Sequence, residues 1–547
     1  MTEINAAADV LRIEGLTVAL KQSGAPVIDD ITFGVRAGET LCLVGESGSG
    51  KSVTSLAVMG LLDPAALEVA GGHITVDGAD VLSASAEELR RMRASRMSMV
   101  FQEPMTALNP VEKVGAQVEE VLRVHGEGNA ASRRRRVLEM FEAVRLPNPE
   151  RIRASYPHEL SGGQRQRIVI SMALIMNPKL LIADEPTTAL DVTTQRQILL
   201  LISELQQRFG TAVLFITHDF GVVSEIAGRI VVMNRGKMVE IGSRADVLSN
   251  PQADYTRMLA SAVPSLVPPQ RPASTDAEVL SVSNLAMSYK VGDLFSPRPP
   301  VHALKATDIS LRRGEILGIV GESGSGKTTL ARCITRLIRP SQGSIVLDGV
   351  DISRLGETAL RPHRRRLQVV FQDPFRSLNA RKRVRDIVVE GMLNFGTPKS
   401  EAYERAAVLL ERVGLSRDML MRFPHQFSGG QRQRICIARA LALDPDVLVA
   451  DESVSALDVS VQKQVLELLR GICDERGVGI LFITHDLRVA AQICDRIAVM
   501  RDGQVVEAGT AHAVLATPEH TYTRELITAA PGRDWDFANF RPYSQSA

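Results

Sequence analysis

The sequence predicts an α/β fold made twice: two tandem copies of one domain, each with a mainly parallel sheet at its core. Three observations carry this. Short, uninterrupted apolar runs alternate with amphipathic helical stretches, the pattern of a parallel sheet covered on both faces. The octapeptide GESGSGKS at Gly45–Ser52 returns as GESGSGKT at Gly321–Thr328. Downstream of the octapeptide both halves keep one order: a glutamine, an SGGQ, an Asp-Glu after an apolar run, and a Thr-His-Asp.

The spacing of the copies locates the domains. Lys327 follows Lys51 by 276 positions and Gln372 follows Gln102 by 270, whereas Ser428, Asp451 and His485 each follow Ser161, Asp184 and His218 by 267. The halves differ in loop length only early, and a period this long marks a duplicated domain rather than a solenoid. SAVPSLVPPQRPASTDAE (Ser261–Glu278) has four prolines and no apolar periodicity, as expected of an extended linker. The expected division is a first domain over 9–260, a linker over 261–277, a second domain over 278–530 and a tail over 531–547. A second Pro-rich stretch, GDLFSPRPP (Gly292–Pro300), falls inside the first hairpin of the second half and reads as a surface loop.

Within the first half, LCLVG (Leu41–Gly45) reads as a buried strand, and SVTSLAVMGLL behind it as a helix. LLIAD (Leu180–Asp184) and AVLFITHD (Ala212–Asp219) are further buried strands. Between the glutamine and SGGQ the chain is mostly helical. Its apolar positions Val137, Leu138, Met140, Phe141 and Val144 indicate a separate helical subdomain.

Bulk composition narrows the function classes. With 547 residues there is room for two full cores, and 64 Lys+Arg against 63 Asp+Glu leave a net charge of +1, no electrostatic footprint for nucleic acid. The five cysteines (Cys42, Cys333, Cys436, Cys473, Cys494) have no close-spaced pair, which argues for a reducing compartment and against a disulfide or zinc framework. MTEINAAADVLRIEG lacks a basic start and an apolar core, so it does not read as a secretory signal. No apolar run approaches the roughly 18 residues of a spanning helix. The expectation is a cytosolic chain whose membrane role comes through partners.

The repeated motifs carry phosphate chemistry. Glycines 45, 48 and 50, and 321, 324 and 326, let the backbone curl so that its N–H groups face a phosphate, with a helix N-terminus behind. Lys51 and Lys327 would neutralise β/γ oxygens, and Ser52 and Thr328 offer a hydroxyl to Mg²⁺. The nucleotide-binding assignment covers Gly45, Glu46, Ser47, Gly48, Ser49, Gly50, Lys51, Ser52 and Val53. In the second half it covers Gly321, Glu322, Ser323, Gly324, Ser325, Gly326, Lys327, Thr328 and Thr329. Asp184 and Asp451 end apolar strands near the expected metal position, and Glu185 and Glu452 follow them. An Asp that steadies metal-bound water and a Glu that polarises the attacking water are what phosphoanhydride hydrolysis requires. His218 and His485 end a further strand, within reach of a γ-phosphate.

At LSGGQRQR (Leu160–Arg167) and FSGGQRQR (Phe427–Arg434) the chain resembles the ATP-binding-cassette (ABC) ATPases, and the resemblance covers nearly its whole length. It implies two tandem ABC-type P-loop ATPase domains, each a parallel core with an antiparallel β subdomain and a helical signature subdomain. In that family two cassettes sandwich two ATP molecules head to tail. Ser161, Gly162, Gly163 and Gln164 would therefore serve the ATP on Lys327, and Ser428, Gly429, Gly430 and Gln431 the ATP on Lys51. Gln102 and Gln372 match the family's Q-loop and complete an implied Mg²⁺ set with Ser52, Asp184, Thr328 and Asp451; Asp191 and Asp458 match its D-loop. The catalytic groups so implied are Glu185, Glu452, His218, His485, Gln102 and Gln372. Tyr289 sits where the family places its adenine-stacking aromatic, but the first half has Leu20 there.

FQEPMTALNP (Phe101–Pro110), FQDPFRSLNA (Phe371–Ala380) and the related tails PQADYTRML (Pro251–Leu259) and PEHTYTREL (Pro518–Leu526) are similar to the peptide/opine/nickel importers, in the fused arrangement of the glutathione-type and microcin-C/peptide-type ATPases. This implies an ATP-hydrolysing motor, peripheral on the cytoplasmic face of the inner membrane. Its partners would be two transmembrane permeases and, through them, an extracytoplasmic solute-binding protein, with ATP and Mg²⁺ as cofactors. Short peptides lead as cargo, ahead of glutathione-like peptides, opines and nickel chelates. No iron–sulfur cluster is expected, because no cysteine follows Cys494 and none lies between Cys42 and Cys333. The rival reading, a tandem cassette acting on ribosomes as a translation factor, usually has a long charged helical linker, which the Pro-rich linker disfavours. A DNA-repair cassette would need a long coiled coil inside the domain. The basic runs Arg133–Arg136 and Arg361–Arg366 read as solvated helix faces.

Overall fold

A computed structural model of the chain describes residues 9–101, 107–188, 190–271, 276–293, 296–454 and 457–543. The chain divides into two compact units; the main body of the second is Pro264–Ala530, with Asp191–Thr193 also assigned to it, and the described residues after Ala530 are grouped with the first.

In the first unit an antiparallel sheet forms from β1 (Asp9–Leu20), β2 (Pro26–Arg36), β4 (Leu67–Val76) and β5 (Ala79–Asp80), in the order β2-β1-β4-β5. The central sheet runs β10-β9-β3-β8-β7-β6. Its strands are β3 (Thr40–Val44), β6 (Met97–Val100), β7 (Leu180–Asp184), β8 (Ala212–Thr217), β9 (Arg229–Asn234) and β10 (Lys237–Ser243). All its pairings are parallel except β10 on β9. Every residue of β3, β7 and β8 is buried, which is why these segments read as unbroken apolar runs. Leu41, Leu43, Ile182, Leu214 and Ile216 join Leu11, Ile13 and Ile74 of the antiparallel sheet in one core.

The second unit repeats this. β11 (Glu278–Asp293), β12 (Ser296–Arg312), β14 (Gln342–Leu347) and β15 (Val350–Asp351) form the antiparallel sheet β12-β11-β14-β15. The central sheet is β16-β17-β18-β13-β19-β20, built from β13 (Ile316–Val320), β16 (Leu367–Val370), β17 (Val447–Asp451), β18 (Gly479–Thr484), β19 (Arg496–Arg501) and β20 (Gln504–Thr510).

The surface loop expected at Gly292–Pro300 is corrected. The hairpin strands run into it, pairing Gly292 with Pro297 and Val291 with Arg298. Prolines are tolerated there because β12 is an edge strand, whose outward-facing N–H groups make no ladder bond, and because the register shifts between Arg298 and Val301, where Pro299 and Pro300 lie. The Pro-rich join is also anchored at its start. Gln492 Nε2 donates to the Ser265 carbonyl at 2.9 Å, and Arg271 Nη2 donates to that of Gln492 at 2.5 Å.

The helical subdomain of the first unit contains the helices Val114–Val124, Ala130–Ala143 and Gly162–Leu174. Val137, Met140, Phe141 and Val144 are buried and Leu138 is half-buried, while the basic run on the other face is neutralised. Arg133, Arg134, Arg135 and Arg136 pair with Glu119, Glu150, Glu139 and Glu127 at 3.3, 3.0, 3.5 and 3.1 Å.

All five cysteines are free and buried. Burial pushes Cys333 and Cys436 up to about 11 and Cys473 up to about 12, and raises Cys42 and Cys494 further. At pH 8 a thiol of pKa 11 is only about 0.1% thiolate, so the native protein should show no rapid reaction with a disulfide reagent such as DTNB. All five should titrate in denaturant. A fast native thiol would contradict this packing.

Candidate active site

Parallel strands end on the same side of a sheet, and ligands of open α/β folds bind beyond those ends. β3 is flanked by β8 and β9, and β7 lies beside β8. The loop after β3, the Asp184-Glu185 pair closing β7 and His218 after β8 are thereby brought to one edge. The same happens at β13, β17 and β18 in the second unit.

The loop itself requires glycine. Gly45, Gly48 and Gly50 have φ of 155°, 80° and 103°, and Gly321, Gly324 and Gly326 have 156°, 84° and 104°. Lys51 and Lys327 open the following helices and are buried. Lys51 Nζ donates to the carbonyls of Gly45 and Glu46 at 2.7 and 2.8 Å; Lys327 Nζ donates to those of Gly321 and Glu322, both at 2.7 Å. Burial lowers the Lys327 pKa, opposed most by the charge of Glu452. Ser47, Ser52, Ser323 and Thr328 are exposed, Ser49 and Ser325 are buried, and Val53 and Thr329 are half-buried.

The carboxylates differ in environment. Asp184 and Asp451 are buried, and Oδ1 of each has no hydrogen-bond partner. Burial raises both pKa values, that of Asp451 to about 6, and the adjoining glutamate adds to it. A buried acidic oxygen left unpaired is the kind of group a hard divalent cation satisfies. The donor set, carboxylate plus the Ser52 or Thr328 hydroxyl, fits Mg²⁺ in type. Among the described residues no group of three or more His, Cys, Asp or Glu could hold a metal alone. Such an ion would therefore draw its other ligands from phosphate oxygens and water.

Glu185 and Glu452 are held in the left-handed region, φ 46° and 44°, although neither is glycine. Their N–H groups donate to the carbonyls of Ile216 and Ile483, both at 2.9 Å, which fixes this costly backbone against the neighbouring strand. Glu185 Oε1 lies 3.0 Å from His218 Nδ1, and its Oε2 accepts from Thr188 Oγ1 at 3.0 Å. Glu452 Oε1 lies 3.5 Å from His485 Nδ1, and its Oε2 accepts from Gln372 Nε2 at 2.7 Å. Burial would raise both glutamates, but the histidines outweigh it and lower them. Both stay ionised, the form that the expected water-polarising role requires. Reciprocally, burial depresses the His485 pKa but Glu452 raises it more. Gln372, Glu452 and His485 thus form one cluster. Gln102 lies outside the described residues.

The signature residues have a local explanation. Ser161 caps the helix Gly162–Leu174: its Oγ accepts from Gln164 N–H at 3.3 Å, and Gln164 Oε1 accepts from Ser161 N–H at 3.0 Å. Ser428 and Gln431 repeat this at 3.3 and 3.1 Å. The S-x-x-Q spacing is a capping box, which fixes a helix N-terminus and its positive end. Gly163 and Gly430 face the following helix so closely that a Cβ would come 2.6 Å from Thr194 Cγ2 and 2.3 Å from Val461 Cγ1.

The protein-family profile described as "ABC transporter" matches residues 28–188 and 304–455. This chain belongs to the ABC transporter family. A second profile, "Oligopeptide/dipeptide transporter, C-terminal region", matches 239–301 of this ABC ATPase. It is 44% identical to the glutathione import ATP-binding protein GsiA of Escherichia coli K12, covering 96% of this chain and 90% of the relative. Identity and coverage are the same for its counterpart in Pectobacterium atrosepticum. A dimeric post-hydrolysis ATP-binding cassette bound to ADP and Pi is 30% identical, over 42% of this chain and 98% of its own, with a TM-score of 0.39.

Two further features bear on how the ABC ATPase works. Leu20 and Tyr289 occupy equivalent strand positions and are exposed, at 41% and 37%. In the second unit a groove of about 720 Å³ opens beside the Q-loop, bordered by Phe371, Gln372, Arg376, Glu390, Arg439 and Asp451. It runs from the helices Val384–Asn394 and Gly429–Leu441 to the end of β17. Sequence reasoning missed Thr188 and the left-handed backbone of the two glutamates, for which no local signal exists. It also passed over Tyr255 and Tyr522, although both copies of the tail retain them.

Proposed function

We propose that this ABC ATPase is the motor subunit of an importer for short peptides or peptide-like solutes, with cassettes over 9–260 and 278–530. It would sit peripherally on the cytoplasmic face of the inner membrane. Its partners are two permease subunits and, through them, an extracytoplasmic binding protein. The observation that carries the reading is the duplicated Glu–His pair beside each phosphate loop, on a chain similar along 96% of its length to glutathione import ATP-binding proteins. No helix among the described residues is long and apolar enough to cross a membrane, so translocation falls to other subunits. In this reading the groove beside Gln372 receives a short helix from a permease.

In this reading Lys51 and Lys327 neutralise β/γ-phosphate oxygens. Ser52, Thr328, Asp184, Asp451 and the Q-loop glutamines Gln102 and Gln372 hold Mg²⁺, which when bound offsets phosphate charge. Glu185 and Glu452 orient and polarise the attacking water, and His218 and His485 hold those carboxylates and face the γ-phosphate. The signature helices, through Ser161–Gln164 and Ser428–Gln431, each serve the nucleotide of the opposite cassette, as the family implies. ATP contacts made only in the closed state then shift the population towards closure, and hydrolysis releases it.

The test is affinity capture of the Glu185→Gln/Glu452→Gln chain with ATP from detergent-solubilised native membranes. Two multi-span permeases are expected; ribosomal proteins without a permease would overturn the importer reading and leave the ATPase. Leu20 also makes a prediction. Aromatic stacking on a base stabilises by about 1–3 kcal/mol, so Leu20→Tyr should tighten nucleotide at the first site about fivefold or more. Titration with a fluorescent ATP analogue on a Lys327→Ala background reads this directly, and unchanged affinity would show that Leu20 is not the base platform.

A further inference from the structure

We propose that Tyr255 and Tyr522, in the tails of the two cassettes, are positioning residues that set the phosphate loops and thereby nucleotide affinity. Glu46, second residue of the first loop, donates its N–H to Tyr255 Oη at 3.3 Å, and Tyr255 Oη donates to Glu46 Oε2 at 3.3 Å. In the second unit Glu322 N–H donates to Tyr522 Oη at 3.1 Å. The partners are 209 and 200 residues apart in sequence, so each bond is a tertiary tie made independently in each unit.

The rest of each tail is built to hold that tyrosine. The helices Asp254–Ser261 and Thr521–Ala529 start beyond β10 and β20. A glutamate on each strand clamps the approach. Glu240 accepts from the N–H groups of Gln252 and Ala253 at 2.8 and 3.1 Å; Glu507 accepts from those of Glu519 and His520 at 2.9 and 3.1 Å. Between PQADYTRML and PEHTYTREL only Pro, Tyr, Thr, Arg and the final Leu are retained. Four of the five have structural tasks. Arg257 and Arg524 donate to the carbonyls of Pro251 and Pro518 at 2.8 and 3.1 Å, Thr256 and Thr523 are fully buried, and Leu259 and Leu526 join the core. Only the tyrosine reaches the phosphate loop.

Simple satisfaction of a buried hydroxyl does not account for this. Tyr522 is 2% exposed, with the Arg501 guanidinium 4.7 Å from its ring centroid, so its hydroxyl needs an internal partner. Tyr255 is only half-buried and Asn234 stands where Arg501 does, yet it makes the same bond to the same loop residue. Lys51 and Lys327 donate to the carbonyl of that same residue. Its peptide groups are thus held by the tyrosine through the N–H and by the lysine through the C=O, so releasing one frees the loop that aims the other.

The inference rests on the loops being the nucleotide sites, and the experiment separates the two. Tyr255→Phe and Tyr522→Phe are made in the full chain. AMP-PNP binding is measured by calorimetry, hydrogen exchange on peptides spanning 45–52 and 321–328, steady-state ATPase, and melting without nucleotide. Each substitution should speed exchange in its own loop only. It should weaken AMP-PNP at that site about three- to tenfold, the effect of one hydrogen bond, and raise KM with kcat held within about twofold. Melting should move by no more than a few degrees. Unchanged exchange and affinity would overturn the proposal, as would a general loss of stability with both loops exchanging faster. Lys51→Ala and Lys327→Ala run alongside. If they leave AMP-PNP binding intact, the loop assignment fails and the proposal with it; if they abolish it while the tyrosine variants are silent, only the tyrosine role fails.

Discussion

Glu185→Gln and Glu452→Gln should each lower ATP turnover about 10²–10⁴-fold while leaving ATP binding intact. Glutamine keeps the shape, so Thr188 can still donate to the residue at 185 and the left-handed backbone is unaffected. What disappears is an anion that burial disfavours and His218 or His485 keeps ionised. That charge has no use in binding a polyphosphate, which it repels; in the proposed mechanism its use is towards the proton of the attacking water. ATP affinity should therefore hold or rise. Measuring kcat and equilibrium nucleotide binding on each single variant checks both halves of the statement. A wild-type rate in either variant would remove that glutamate from catalysis. A residual rate near half would leave both glutamates catalytic but make the sites independent, against the coupled pair that the family resemblance implies.

The parts legible in the sequence are those fixed by local chemistry. Unbroken runs such as LCLV and LLIA, short and alternating with amphipathic helical stretches, read as strands buried on both faces, and their parallel pairing puts the loop, Asp184-Glu185 and His218 at one sheet edge. SGGQ was legible as a repeated signature, and the structure adds its local reason: Ser and Gln three apart cap one another at a helix start. What was hidden depends on distant chain. Nothing near Glu185 announces φ 46°, since no glycine marks it and the restraint is a hydrogen bond to Ile216 on another strand. The tie from Tyr255 to Glu46 spans the whole cassette. The prolines of Gly292–Pro300 were misleading for a different reason: they forbid a central strand but not an edge, and strand order is a tertiary fact.

Gly45→Ala and Gly321→Ala should each abolish tight nucleotide binding at their own site, by about 100-fold or more, and destabilise that cassette by about 1–3 kcal/mol. A Cβ on Gly45 would lie 2.3 Å from the Met233 carbonyl oxygen and 2.7 Å from Ser49 Oγ; on Gly321 it would lie 2.3 Å from that of Met500 and 2.8 Å from Ser325 Oγ. The serine can turn away. The carbonyl cannot, because Met233 and Met500 lie in β9 and β19, inside the central sheets. The loop must therefore move, and with it the carbonyls of Gly45 and Gly321 that hold Lys51 and Lys327 at 2.7 Å. A phosphate cradle made of backbone N–H groups tolerates little displacement, since every donor shifts together. Gly38→Ala supplies the comparison: φ there is 67° but nothing lies within 4 Å, so it carries the backbone strain without the collision. It should lose about 1–2 kcal/mol in melting and bind AMP-PNP normally. If Gly45→Ala behaves no differently from Gly38→Ala, close approach to the sheet is not what the first glycine of the loop provides, and its role reduces to the torsion alone.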